Sequence, residues 1–187
     1  MPRPNWFFAF PLDGAFVAAL PEPPPAIRRY HPDDVHMTLA FLGGCGEEAA
    51  LRALAALDER LRGGAFPVLD VSLGHVVPLG RSKSGYTTLS ALLDGGRDAA
   101  TRLLTNERDA LHDAAKVARP KRDAKPHVTL ARVRGRASAE HREDGLRWAR
   151  SLELGNVRAR LERVALYTWS EVRRERYFRI AAERKLG

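Results

Sequence analysis

Hydrophobic and polar residues alternate in several short segments of the chain, a spacing typical of β-strands with one buried face. Strands are predicted near residues 5–10, 35–42, 66–80, 86–93, 127–133, 157–169 and 177–182. In other segments apolar residues recur every three or four positions, which indicates amphipathic helices. Helices are predicted near residues 12–20, 47–62, 96–117 and 138–150. The proline-rich stretch between the first helix and the second strand is predicted to be a loop.

The order of these elements favours an α+β fold. Helices and strands are interleaved, but the neighbouring strands within 66–93 and 157–182 read as hairpins. Hairpins favour antiparallel or mixed sheets over a doubly wound parallel sheet. A chain of 187 residues suits one domain with a hydrophobic core of its own. We therefore expect a single domain spanning residues 1–187.

Two of the predicted strands contain the same His-x-Thr-Leu motif. The first, in VHMTLAFLG, contains His36 and Thr38, and the second, in PHVTLAR, contains His127 and Thr129. Residues two apart on a strand point to the same face, so each histidine shares a face with its threonine. The motifs lie about half the chain apart, which suggests an internal duplication. The sequence thus predicts two pseudo-symmetric lobes, each with one motif facing a central cleft.

The intervening residues of each motif are apolar and should anchor the strand. Strict alternation places Met37, Leu39 and Phe41 on the face opposite the first histidine. Val128 and Leu130 take the same place in the second strand. Both apolar faces are predicted to pack against helices on the outside of the sheet.

Two histidines and two threonines around one cleft favour phosphodiester chemistry. One imidazole can take a proton from water while the other protonates the leaving oxygen, and both roles suit a pKa near 6.5. Threonine hydroxyls can donate hydrogen bonds to phosphate oxygens as negative charge grows in the transition state. This scheme requires no metal ion and no cofactor.

The chain resembles the 2H phosphoesterases, specifically the bacterial and archaeal RNA 2',3'-cyclic phosphodiesterases once called 2'-5' RNA ligases. The resemblance covers nearly the whole chain through WFFAFPL, VHMTLAFLG, KPHVTLAR and LYTWSEVRRERYFRI. It implies a bilobal, pseudo-two-fold α+β fold with antiparallel or mixed sheets lining the cleft and helices outside. It further implies metal-independent hydrolysis of a 2',3'-cyclic phosphate, on RNA or on a nucleoside, to a 2'-phosphate.

The resemblance also implies roles for individual residues. His36 would be the general acid and His127 the general base, while Thr38 and Thr129 would hold phosphate oxygens. Arg132 matches a family arginine that contacts phosphate. Strict alternation places Arg132 on the face opposite His127, so it must lie beyond the regular strand or reach round the end of the strand. The spacing of the motifs does not determine which histidine is the acid.

Composition is consistent with this interpretation. The formal net charge of +8, from 31 Lys and Arg against 23 Asp and Glu, suits a polyanionic partner such as RNA with a 2',3'-cyclic phosphate end. The single cysteine, Cys45, forms no internal disulfide, and no signal peptide or membrane span is evident. A cytoplasmic monomer that does not associate with membranes is expected. The remaining histidines lack the spacing of zinc ligands, so no metal site is predicted.

Three alternatives remain open from the sequence. The same chemistry run in reverse would ligate RNA through a 2'-5' bond. A related enzyme could act on 2',5'-oligoadenylates or on a small cyclic nucleotide. A non-catalytic RNA or nucleotide-binding module could have kept the cleft, although a binder would have no need of two titrating imidazoles.

Overall fold

A computed structural model describes residues 3–80, 82–83, 85–135 and 137–187 of the protein. Its elements alternate as the sequence predicts. The strands are β1 Trp6–Pro11, β2 Ile27–Arg29, β3 His36–Gly43, β4 Leu69–Leu79, β5 Thr88–Leu93, β6 His127–Val133, β7 Arg158–Leu161, β8 Arg163–Trp169 and β9 Phe178–Lys185. The α-helices are α1 Ala15–Ala18, α2 Glu47–Arg62, α3 Arg97–Ala115 and α4 Ala139–Arg150, and a 3-10 turn spans Pro32–Asp34.

The strands form one curled sheet in which every described pair is antiparallel. The order is β7-β4-β5-β6-β3-β1-β8-β9, and β2 pairs with β6 beside β3. The two histidine strands, β3 and β6, are therefore neighbours at the centre, with three strands outside each. We call the half with β3, β1, β8 and β9 the His36 lobe and the half with β6, β5, β4 and β7 the His127 lobe. The predicted α+β fold with pseudo-two-fold halves is confirmed.

Helices cover one face of the sheet and leave the other face open. α2 and α3 pack against each other, and α3 also contacts β3. Between helices and sheet lies a core of aliphatic and aromatic side chains that includes Phe8, Phe10, Met37, Leu57 and Leu130. Burial of such side chains contributes about 1.5–3 kcal/mol each and fixes the helix-facing side of the two central strands. No helix among the described residues is both long and apolar enough to cross a membrane.

Each histidine strand contains a β-bulge at the same motif position. Against β1, Phe8 pairs with Ala40 but Ala9 pairs with Thr38, so Leu39 is the extra residue. Against β5, Leu89 pairs with Ala131 but Ser90 pairs with Thr129, so Leu130 is extra. A bulge lets two consecutive residues face the same side and reverses the alternation beyond it. Both pairs, Leu39–Ala40 and Leu130–Ala131, are accordingly buried.

Two predicted elements before β3 differ from the structure. The helix predicted over 12–20 is a single turn, Ala15–Ala18, with no side-chain N-cap and with Pro21 shortly after it. So short a helix has little stability of its own. The proline-rich segment predicted as a loop contains β2, which pairs with residues 131–133 of β6. Three residues carry too little alternation to predict a strand, and the pairing with β6 is long-range.

Candidate active site

The two motif histidines lie on neighbouring strands and face the open side of the sheet. β3 and β6 pair through Met37 and Val128, and both of these side chains are fully buried toward the helices. Antiparallel register then sets His36 beside the second motif's threonine and His127 beside the first motif's threonine. The two motifs therefore meet in one cleft.

Both imidazoles are oriented by the same kind of hydrogen bond, to a backbone carbonyl two residues earlier in the chain. His36 Nδ1 lies 2.6 Å from the carbonyl oxygen of Asp34, and His127 Nδ1 lies 2.7 Å from that of Lys125. A carbonyl oxygen can only accept, so each Nδ1 carries the proton and donates it. In the neutral ring the Nε2 atom then has the free lone pair and is the group available for proton transfer.

Burial affects the two rings unequally. His36 is only 8 % exposed, and desolvation lowers its pKa to about 4, with the positive charge of a protonated His127 adding to the effect. His127 is partly exposed, and its pKa is also lowered, first by desolvation and further by the charge of Lys125. Both rings are thus predominantly neutral at pH 7 in the free protein.

Hydroxyl groups line the floor between the histidines. Thr38 and Thr129 are both partly exposed and lie on the histidine-bearing face of their strands, as predicted. Ser90 of β5 pairs with Thr129, and the two hydroxyl oxygens are 3.1 Å apart. Ser90 is fully buried, so it can orient the Thr129 hydroxyl toward the cleft. Sequence reasoning missed Ser90, although it lies in a predicted strand with alternating polarity.

The bulges place Phe41 and Arg132 on the same face as the histidines. Phe41 is 54 % exposed, so the prediction that it anchors the core is wrong. The prediction assumed unbroken alternation, which the extra residue Leu39 reverses. Arg132 is likewise exposed, and Leu130 removes the expected conflict between its face and that of His127. The two residues occupy equivalent positions, five residues after each histidine.

An aromatic wall surrounds the His36 ring. Phe7 and Tyr167 stack on each other with centroids 5.0 Å apart, and they lie 4.9 Å and 5.2 Å from the imidazole centroid. Phe178 meets the ring edge-on at 5.6 Å. The wall explains why His36 is desolvated and why its pKa is lowered. These residues come from three strands that sequence reasoning did not connect to the site.

Asp34 connects this wall to His36. Its side chain is fully buried, and its carboxylate accepts backbone N–H bonds from Tyr177 at 2.6 Å and Phe178 at 2.9 Å. Its carbonyl is the acceptor for the His36 ring. Desolvation raises the pKa of Asp34, against the two N–H bonds that lower it. One residue therefore fixes both the imidazole and the start of β9.

The two ends of the cleft differ. At the Arg132 end, Tyr177 lies under the guanidinium groups of Arg28 at 4.3 Å and Arg132 at 5.9 Å. Arg28 also donates to the carbonyl oxygens of residues 173, 174 and 175, which holds the β8–β9 loop across this end. At the Phe41 end the cleft opens into a cavity of about 750 Å³ that reaches Thr38, His127 and Thr129. A ligand held between the histidines can extend toward this cavity.

No grouping of three or more His, Cys, Asp or Glu side chains suited to a metal ion occurs in the described ranges. His112, in α3, is buried, and its Nδ1 and Nε2 atoms lie 2.6 Å and 3.1 Å from the carbonyl oxygens of Arg108 and Phe41. It therefore contacts the end of β3 and does not belong to the pair of motif histidines.

This combination of sheet, cleft and two His-x-Thr strands defines the 2H phosphoesterase fold. Among solved structures, the chain is similar to TT0787 of Thermus thermophilus (TM-score 0.70, 20% identity, 97% of each chain). It is also similar to E. coli LigT complexed with 3'-AMP (TM-score 0.69, 20% identity, 100% of this chain and 99% of LigT). Kluyveromyces marxianus Usb1 matches at a TM-score of 0.53 and 11% identity over 87% of this chain and 92% of Usb1.

The predicted resemblance is therefore confirmed at the level of the fold. No protein-family model and no curated protein sequence matches the chain.

Proposed function

We propose that the protein is a phosphodiesterase that hydrolyses the 2',3'-cyclic phosphate at the end of an RNA, or on a nucleoside, to a 2'-phosphate. The observation that carries the proposal is the pair of imidazoles. Each has its Nδ1 fixed by a backbone carbonyl two residues earlier, and each leaves Nε2 free on the cleft side. General acid–base catalysis requires such positioned, titratable groups.

His127 is proposed as the general base and His36 as the general acid. His127 lines the open cavity, through which water reaches the phosphorus, whereas His36 lies behind it against the aromatic wall. His127 Nε2 takes a proton from the attacking water as its oxygen bonds to phosphorus. The bond from phosphorus to O3' breaks, and His36 Nε2–H protonates O3'. The negative charge of the bound phosphate raises the pKa of His36 and so supplies the protonated ring.

The remaining polar groups would bind the phosphate, and Phe41 the base. Thr38 and Thr129 donate hydrogen bonds to non-bridging oxygens, and the Arg132 guanidinium neutralises charge that develops on them. Phe41 presents an exposed ring beside the cavity and would stack on the nucleobase of the terminal nucleotide. LigT has been crystallised with 3'-AMP and with ATP, which is consistent with a nucleotide ligand for this fold.

The test is hydrolysis of adenosine 2',3'-cyclic phosphate, and of an RNA with a 2',3'-cyclic end, by purified protein in EDTA. We expect the 2'-phosphate as the product. Each of His36→Ala and His127→Ala should lower kcat by at least about 100-fold. Absence of hydrolysis on both substrates would refute the proposal, and loss of activity in EDTA would refute the two-histidine mechanism. Addition of an RNA with a 5'-hydroxyl would reveal any reverse ligation.

A further inference from the structure

The open end of the cleft carries positive charge that the proposed reaction does not use. The charged residues that line the cavity are Arg108, Arg122, Lys125 and Asp123, three cations against one carboxylate. Arg122 and Lys125 are exposed, and neither forms an ion pair with any residue that the structure describes. The two cations are therefore available to an anionic group of a ligand in the cavity.

Lys125 is fixed close to the reaction centre. Its carbonyl oxygen accepts the Nδ1 proton of His127 at 2.7 Å, and its charge contributes to the lowered pKa of that ring. In the other lobe the equivalent position, two residues before the histidine, is Asp34, whose buried carboxylate binds two backbone N–H groups. Asp34 is thus an anion whose hydrogen bonds are satisfied within the protein. Lys125, at the equivalent position, is a cation that lines the cavity and forms no ion pair with a described residue.

The shape of a nucleotide determines which of its anionic groups could reach Arg122 and Lys125. A cyclic phosphate between the histidines occupies O2' and O3' of the terminal ribose, and a base on Phe41 directs the nucleoside into the cavity. A cavity of about 750 Å³ is large enough for a whole nucleotide. The only other anionic group on such a nucleotide is attached to O5'. In an RNA chain this group is the phosphodiester that joins the preceding residue.

We propose that Arg122 and Lys125 bind the 5'-phosphoryl group of the terminal nucleotide, so that the site selects cyclic ends of RNA chains over free nucleoside 2',3'-cyclic phosphates. This inference rests on the proposed function and specifies its substrate. Lys and Arg contacts to backbone phosphates are independent of sequence, so the preference applies whatever the identity of the preceding base.

Turnover gives the first test. The ratio of kcat/KM for 5'-phosphoadenosine 2',3'-cyclic phosphate to that for adenosine 2',3'-cyclic phosphate should be about tenfold in the native chain. In Arg122→Gln/Lys125→Gln the ratio should fall to about one. The ratio cancels any change in His127 that the loss of Lys125 causes. The control, Arg158→Gln/Lys185→Gln, removes two exposed cations at the outer edges of the sheet and should keep the native ratio.

Binding gives a second test that does not depend on turnover. Calorimetry should show that adenosine 2',5'-bisphosphate binds about tenfold more tightly than adenosine 2'-phosphate, with a steeper salt dependence, and that the double glutamine variant loses both differences. If the native chain hydrolyses neither substrate but keeps this binding preference, the proposed reaction fails and the phosphate subsite stands. Equal affinity for the two ligands in the native chain, or a preference that survives in the double variant, would overturn the subsite.

Discussion

The burial of His36 should make the stability of the protein depend on pH in a window that one substitution removes. Burial lowers the pKa of the folded-state ring to about 4, whereas in the unfolded chain the ring titrates near 6.5. Between these values the unfolded state binds a proton that the folded state does not. Stability is therefore fully present above pH 6.5 and is lost as pH falls toward 4.

The expected loss follows from the difference between the two pKa values. Each pKa unit corresponds to about 1.4 kcal/mol, so the whole window is worth about 3 kcal/mol, and about 2.5 kcal/mol of it is lost between pH 7 and pH 4.5. His36→Asn keeps an N–H donor for the Asp34 carbonyl but cannot titrate. The free energy of unfolding in urea should fall between these pH values by about 2.5 kcal/mol more in the native protein than in the variant.

Two comparisons make this experiment decisive. The lowered pKa of His127 is due to burial and to the charge of Lys125, neither of which the substitution removes, so the contribution of His127 should cancel from the difference. His75→Asn, which removes an exposed imidazole from β4, is the matched control for the loss of one histidine. If the native protein and His36→Asn lose equal stability on acidification, the His36 ring takes up protons in the folded state and the argument from burial is refuted.

Three further predictions concern catalysis and positioning. Burial lowers the pKa of both His36 and His127 in the free protein, so the form with one protonated and one neutral ring is most populated below pH 6.5. The value of kcat/KM should therefore rise from pH 8 toward pH 5. A maximum above pH 8 would contradict this. In Asp34→Asn the side-chain amide N–H faces one of the two backbone N–H donors that the carboxylate binds. The free energy of unfolding in urea should fall by about 1–3 kcal/mol, and kcat should fall as well. Unchanged initial rates would contradict the positioning role of Asp34. Phe41→Ala should raise KM for a cyclic nucleotide about tenfold in steady-state kinetics, with Phe41→Tyr near native, and should change stability little because the ring is exposed.

The centre of the fold could be predicted because the sequence repeats it. Two copies of His-x-Thr-Leu on alternating strands predicted that the histidines and threonines share a face, and the structure places His36, Thr38, His127 and Thr129 on the cleft side. The long helices were also evident, since apolar spacing, acidic first turns and terminal glycines or prolines act locally.

Features that depend on tertiary pairing could not be predicted. In both motifs the residues after Thr are Leu-Ala, and a run of two apolar residues does not reveal which of them is extra in a bulge. The sequence HxTLA, which both strands share, nevertheless indicated that Phe41 and Arg132 have the same local geometry. Asp34 could not be recognised in this way, since its partners Tyr177 and Phe178 are 143 and 144 residues away along the chain.

The strands of the two lobes are distributed differently along the chain. The four strands of the His127 lobe lie in one stretch of the chain, residues 69–161, whereas those of the His36 lobe lie in residues 6–43 and 163–185. The first and last strands, β1 and β9, therefore belong to the His36 lobe, and β4 to β7 of the His127 lobe are inserted between its parts. Removal of β9 would take Phe178 from the wall around His36 and leave the strands that flank His127 intact. Truncation at either end should thus impair the proposed acid before the proposed base.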